Sequence, residues 1–503
     1  MTSPTRTAAP ALTRQLTVAR LLTFLTLAGV VLIAVRPPLD SDMFWHLRAG
    51  QWQWENASLL RVDPFAHTAS TAETWINHGA PVQVVMYGLY AYLGNFGLIL
   101  YVVACALGGM AFVLAVTPGG PFTRFLAIIL TTLAAQSLWV ARPLMISFLL
   151  SGLLYFWLRR WQQGALPHLW IAVPLMIAWV NLHGTGVSGF ILLVLATLGE
   201  GAHWLFTAAA PALRERSTVP FPKRTAHLTA VGLLSAAGGA LLNPYGVDFL
   251  YYPFFTVNME AARALINEWA APALSDPKTW PFFLLLALLP ALMVATRERL
   301  TWQNAVLVGL SAAAALTRAR LIPTFALIAA PVLALHLDPL VERLGVNWER
   351  PVRHPAEGLI NTAIVLVVLG VLGLHTTSAL RSRPLLQAEH FPVDAARALR
   401  TQAPPPLLFN GYNWGGYLMW AAPDYQVYID GRADLHGDRL IFRSLHIEDA
   451  GEGWQQMLAE DGINTVLVAG DTGLAAALQN EPGWEPLYSD EQAVVYTRTV
   501  PLE

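Results

Sequence analysis

The sequence predicts a polytopic α-helical membrane bundle of about eleven spans, followed by a small α/β domain on the extracytoplasmic side. Three observations carry this. Apolar runs of roughly 17–25 residues, the length that crosses a hydrocarbon core, recur as far as residue 376. Hydrophobic residues make up 55% of the 503 and charged residues only 13%, with a mean hydropathy of +0.46. Soluble domains carry about 25% charge. From residue 377 charge rises, and short apolar stretches alternate with turn residues.

The spans are expected near 20–36, 97–116, 124–141, 143–158, 168–182, 187–206, 227–243, 280–296, 301–317, 321–337 and 358–376. Arg6, Arg14 and Arg20 precede the first apolar run, Leu21 to Val35. No small-residue cleavage site follows it, so it reads as an uncleaved span rather than a signal peptide. With the N-terminus inside, the inner loops hold Arg124, Arg159, Arg160, Arg214, Arg216, Lys223, Arg224, Arg297, Arg299, Arg343, Arg350 and Arg353. The outer loops hold the more scattered Arg48, Arg61, Arg142, Arg263, Lys278, Arg318 and Arg320. This bias is the positive-inside pattern, and it places the C-terminus outside. Two alternatives stay open: 301–317 with 321–337 as one re-entrant hairpin, and 81–94 as a further span.

The membrane domain then covers 1–376, including a large first outer loop at 37–96, and the α/β domain covers 377–503. Within the loop, Pro81 to Tyr92 carries three tyrosines and stops at Gly94-Asn95, which suits an interfacial helix. A loop this long is usually functional. In the C-terminal domain, strands are expected at 407–410, 426–430 and 464–468, a helix at 450–461, and a hairpin pairing 485–488 with 493–497. A net charge of −2 gives no basic footprint for nucleic acid. The single cysteine, Cys105, excludes an intramolecular disulfide. Asn56-Ala57-Ser58 fits a glycosylation sequon, which the Ala/Leu-rich, bacterial-looking composition discounts.

Chemistry concentrates just after the first span, in Asp40-Ser41-Asp42-Met43-Phe44-Trp45-His46-Leu47-Arg48-Ala49-Gly50, followed by Arg61-Val62-Asp63-Pro64-Phe65-Ala66-His67-Thr68. Further on stand Tyr412-Asn413-Trp414-Gly415-Gly416-Tyr417-Leu418 and Ile429-Asp430-Gly431-Arg432-Ala433-Asp434. Together these resemble the GT-C glycosyltransferases, and more narrowly bacterial relatives of the protein O-mannosyltransferase and lipid A aminoarabinose transferase group. The resemblance implies a GT-C-like bundle in a bacterial inner membrane and a polyprenyl-phosphate-linked sugar as donor. It also implies inverting transfer on the outer face to a lipid, glycan or protein acceptor.

Such a reaction needs one carboxylate to take the proton from the attacking hydroxyl. A lipid phosphate leaves as a stable anion, so cationic stabilisation replaces the second acid that a glycosidase needs. By position in the motif Asp42 is the expected base, with Asp40 as runner-up and His46 orienting the carboxylate. The structural alternative is a polar pair that only caps a helix at the membrane exit. Asp40, Asp42 and His46 are also the candidate ligands for Mg²⁺ or Mn²⁺, without a tight ligand signature. No cofactor is otherwise expected.

Candidate substrate-binding residues are Arg48, Asp63, His78, Arg142, Asn181, His183, Asn243, Glu268, Arg318 and Arg320. Arg318 and Arg320 are the candidates for gripping phosphate, because a guanidinium fork matches phosphate oxygens; the alternative is snorkelling to the interface. Asp63 precedes proline and can simply set a turn. His183 can be an ordinary packed histidine. Tyr412, Trp414, Trp420 and Tyr425 can stack on sugars or merely pack, while Asp430, Arg432 and Asp434 can shape a turn or complete the site. The competing function is a non-catalytic or transport protein for lipid-linked sugars, and a weaker one is a membrane scaffold. A transporter should show internal repeats and paired broken helices, and the sequence shows neither.

Overall fold

The computed structural model describes residues 16–69, 75–208, 221–296, 300–346, 348 and 355–502. Arg6, Arg14, Arg214, Arg216, Arg297, Arg299, Arg350 and Arg353, counted above as inner cations, lie outside the described residues.

All eleven expected spans are helical. Among the described residues, seven helices are long and apolar enough to cross a membrane: 95–116, 121–138, 184–206, 223–242, 277–296, 319–342 and 356–390. The remaining stretches are the helices Val18–Ala34, Leu144–Gln162, Ala172–Leu182 and Trp302–Thr317. Ile322–Glu342 is the central helix, buried along most of its length, whereas Pro355–His390 lies at the periphery with its apolar face open. That last helix does not stop at 376 but continues without a break to His390. The buried Glu200 pairs with Arg224 at 3.3 Å and accepts from Gln162 at 3.2 Å, while Arg159 donates to Asn304 at 2.9 Å. This network sits at the opposite end of the Leu144–Gln162 helix from Arg142.

The first loop is largely helical. Pro37 and Pro38 lack the N–H groups that would extend the first span. Asp40 then caps a new helix, Ser41–Asn56, accepting from the amides of Asp42 and Met43 at 3.0 and 3.2 Å. The Ala80–Leu93 helix starts on Pro81 and ends where Gly94 takes φ +59°, a conformation that favours glycine. It packs on the Ser41–Asn56 helix so closely that a Cβ on Gly50 would meet the backbone of Gln83.

The C-terminal unit holds a four-stranded sheet in the order β1-β2-β4-β3, with β1 Leu408–Asn410, β2 Thr465–Ala469, β3 Trp484–Ser489 and β4 Ala493–Arg498. β1 and β2 run parallel, and the other pairs are antiparallel. The 450–461 helix is Trp454–Glu460. The structure adds the helices Val393–Gln402, Ala433–Glu448 and Gly473–Leu478 to those expected.

One expected strand, 426–430, is not a strand of the sheet. The Asn410 side chain accepts from the Tyr428 amide at 2.8 Å and donates to the Ile429 carbonyl at 2.8 Å, taking the place of a ladder. The outer edge of this segment pairs with the first loop, where Val427 bridges Ala66 in parallel. Val427 donates to Phe65 at 2.9 Å and His67 donates back to Val427 at 3.1 Å. Its apolar run therefore records burial between two partners rather than membership of the sheet.

Candidate active site

Arg142, just ahead of the Leu144–Gln162 helix, is the hub. Its Nε and Nη2 grip both oxygens of Asp40 at 2.5 and 2.7 Å, its Nη1 meets Asp42 Oδ2 at 2.8 Å, and Glu268 lies at 3.8 Å. Asp40 is thus both a helix cap and a bidentate arginine partner, which leaves its carboxylate fully engaged. Asp42 commits one oxygen, and its side chain keeps a fifth of its surface exposed. Burial pushes the Asp42 carboxyl up, Arg142 pulls it back, Asp40 and Glu268 push it up again, and the balance stands at about 7.

Asp42 is roofed by the C-terminal unit. A Cβ on Gly431 would collide with Asp42 Oδ1, and one on Gly416 would lie 2.6 Å from the Ser41 carbonyl oxygen. The Gly-rich phrases of the sequence are therefore the places where one unit's backbone approaches the other's reactive helix.

His46 is buried, faced by the Trp45 ring at 3.5 Å between centroids. Its Nδ1 lies 3.1 Å from Gln83 Nε2, and Gln83 is locked by a reciprocal amide pair with Asn77, 2.9 Å each way. Burial, with His78 and Arg142 nearby, holds His46 well below the usual imidazole value, so the ring is neutral and accepts at Nδ1. His78 Nδ1 meets the Tyr252 hydroxyl at 2.8 Å, and that hydroxyl donates to Asp434 at 3.2 Å. Trp75 also donates to Asp434, at 3.0 Å. His183 stacks edge-on against His78 at 5.2 Å and joins Ser147 and Thr185 through Nδ1.

Arg318 and Arg320 flank Trp269, at 5.5 and 3.9 Å from its ring centroid. Arg320 has no carboxylate partner among the described residues. It lines a cavity of about 50 Å³ with Ser147, Ser151, Thr185 and Ser188.

Arg142, Asp40, Asp42, Glu268, His46, His78, His183, Arg318 and Arg320 therefore gather at one end of the bundle. The other candidates are engaged by separate partners. Arg48 donates to Gln51 at 2.9 Å and leans over Phe65. Asn181 bonds the Ile177 carbonyl of its own helix at 2.8 Å, and Asn243 bonds the Val180 carbonyl at 3.2 Å. Asp63 does set the turn, accepting from Phe65 and Ala66. It also forms a fully buried ion pair with Arg432, whose other side grips Asp430 at 2.6 Å. His436 completes this clamp at 3.1 Å from Asp430. Tyr252, Trp75 and Gln83 were not singled out from the sequence. Tyr252 lies in the aromatic run Phe249 to Phe255, and no spacing rule separates its hydroxyl from its neighbours'.

The donor set does not fit a metal. Asp40 and Asp42 face one guanidinium, His46 turns its Nδ1 to Gln83, and no group of three or more His, Cys, Asp or Glu side chains among the described residues could hold an ion. Asp40 and Asp42 are instead partners of Arg142, and His46 is a partner of Gln83.

Helix lengths, bundle and site together define a multi-pass membrane protein, with an acid–arginine cluster where the first loop, several helix ends and a C-terminal α/β unit meet. No family model matches the sequence, and the comparison with curated proteins gives no match. Solved structures do resemble it. ArnT from Cupriavidus metallidurans bound to undecaprenyl phosphate is 14% identical with a TM-score of 0.51, over 95% of this chain and 97% of that one. The Archaeoglobus fulgidus oligosaccharyltransferase tethered with an acceptor peptide is 13% identical with a TM-score of 0.54, over 96% of this chain and 74% of that one. Its apo form gives 12% and 0.52, over 96% and 75%. Both proteins are GT-C superfamily members, and the chain has the GT-C fold.

Proposed function

We propose that this chain is an integral-membrane glycosyltransferase that moves a sugar from a polyprenyl-phosphate donor to an outer-face acceptor, with inversion. The observation that carries the reading is Asp42, a carboxylate poised near neutrality on one arm of Arg142 while Asp40 occupies the other two nitrogens. A base works best when its pKa lies near the working pH. Asp42 takes the acceptor hydroxyl's proton as that oxygen bonds to the anomeric carbon. The bond from that carbon to the phosphate oxygen breaks, and polyprenyl phosphate leaves with the electron pair.

Arg320 and Arg318, held by Trp269 rather than by carboxylates, are suited to receive that charge. The hydroxyls of Ser147, Ser151, Thr185 and Ser188 line the same cavity. The ArnT structure holds undecaprenyl phosphate in the same fold, which supports a lipid phosphate here. Arg320→Ala should weaken binding of undecaprenyl phosphate about tenfold to a hundredfold, as loss of charge-assisted hydrogen bonds does. Native mass spectrometry in detergent reads this directly, and unchanged affinity would remove Arg320 from the donor site.

The side of the membrane is testable separately. We place the site and the C-terminal unit outside a bacterial inner membrane, with the N-terminus in the cytoplasm, because Arg159 and Arg224 gather at the opposite end of the bundle. A reporter joined after Glu503 should read as extracytoplasmic; a cytoplasmic signal would invert the whole topology.

A further inference from the structure

The C-terminal unit carries a second cavity, of about 270 Å³, at the carboxyl ends of its two parallel strands. The turn Gly411–Trp414, leaving β1, forms one wall, and Ala469, ending β2, lies opposite. Crevices at this place in open α/β sheets are where ligands bind. Two of its lining residues lead towards the acid–arginine cluster. Leu265 ends the short Glu260–Leu265 helix, which packs on the C-terminal unit, and lies three residues before Glu268, which faces Arg142. Tyr412 lines it and is near enough to Asp42, Asp430 and Asp434 to feel their charge, which adds to burial in raising its phenol well above the usual value.

The lining has a definite chemistry. It offers the rings of Tyr412 and Trp414, the amide of Asn413 and the carboxylate of Glu448, and no lysine or arginine. The Trp414 ring is fixed by its indole N–H, which donates to the His390 carbonyl at 3.3 Å. Glu448 has no hydrogen-bond or ion-pair partner among the described residues, and Asp449 and Asp471 add negative charge near it. Aromatic faces beside a free acceptor suit a saccharide, whose C–H face stacks while its hydroxyls donate. A phosphate here would meet the like charge of Glu448 and no cation.

We infer that this cavity is the acceptor subsite, and that it takes a neutral saccharide rather than a phosphorylated headgroup. The inference rests on the glycosyltransferase reading above and names the class of its acceptor. The acceptor hydroxyl would pass Tyr412 to reach Asp42, while the lipid donor stays on the Arg320 side.

The test uses the purified full-length chain in lipid nanodiscs, titrated by saturation-transfer NMR with neutral disaccharides, their phosphorylated counterparts and, separately, undecaprenyl phosphate. Neutral disaccharides should bind at least about tenfold more tightly than the phosphorylated ones. Glu448→Gln should weaken them about tenfold, the loss of a charged acceptor. Leu265→Trp, which fills the cavity from the half-exposed end of the Glu260–Leu265 helix, should abolish their binding. Undecaprenyl phosphate should bind both variants as it binds wild type, which shows that they fold. Equal binding of phosphorylated saccharides, or unchanged neutral binding in both variants, overturns the subsite. Undecaprenyl phosphate failing to bind wild type would instead overturn the donor reading, a separate result.

Discussion

Asp42→Asn is expected to lower sugar transfer by about 10²–10⁴-fold, the usual contribution of a positioned general base. The variant keeps its fold, because Arg142 retains the bidentate grip of Asp40. The measurement is initial transfer rate in proteoliposomes supplied with polyprenyl-phosphate sugars, beside size-exclusion profiles of both proteins. The wild-type rate should also climb with pH through about 7. The sign follows from the role: only the ionised carboxylate accepts a proton, and burial delays that ionisation. Asp40→Ala should behave differently, losing a helix cap worth about 1 kcal/mol as well as the arginine anchor, so stability and rate fall together. Full turnover in Asp42→Asn would remove it from the base role.

Arg432→Leu should be the most destabilising single change, by about 3–5 kcal/mol, because it strands two carboxylates in a dry interior. Asp63 and Asp430 are both fully buried, and Arg432 is the cation that compensates them. Since Asp63 belongs to the first loop and Asp430 to the C-terminal unit, the loss should appear as a lower melting temperature with early protease cleavage between 391 and 502. Lysine should not rescue it, as it cannot hold both carboxylates through a planar fork.

Acid should mimic the substitution. Burial opposes the charge on Asp430, yet Arg432 and His436 outweigh it and hold its carboxyl well below the usual range. A depressed folded value gives stability that is complete above the ordinary carboxylate pKa of about 4 and is lost as pH falls below it. A melting temperature unchanged between pH 6 and pH 3 in wild type would contradict the clamp.

Much of the architecture was legible because membrane insertion imposes a coarse rule. A span must be apolar for its whole length, so composition alone marked all eleven helical stretches, and the composition change marked the α/β unit. Asp40 and Asp42 stood out because they share one short stretch, directly after an apolar run, with Trp45, His46 and Arg48. The C-terminal helices were less legible. Ala433–Glu448 carries His436, Asp438, Arg439 and Arg443 along its length and has no long apolar stripe. The 426–430 segment carries a short apolar run like a strand, but which neighbour would take its hydrogen bonds was a tertiary matter.

The sequence by itself determined the fold class and marked the polar cluster after the first span, since both follow from local polarity against the bilayer. Which of the two aspartates is available was decided only by tertiary structure. Arg142, about a hundred residues away, binds Asp40 with two nitrogens and Asp42 with one. Tertiary structure also brought Tyr252, Asp434 and Trp75 together and set Gly431 against Asp42. Such contacts join residues hundreds of positions apart, and no periodicity along the chain encodes them.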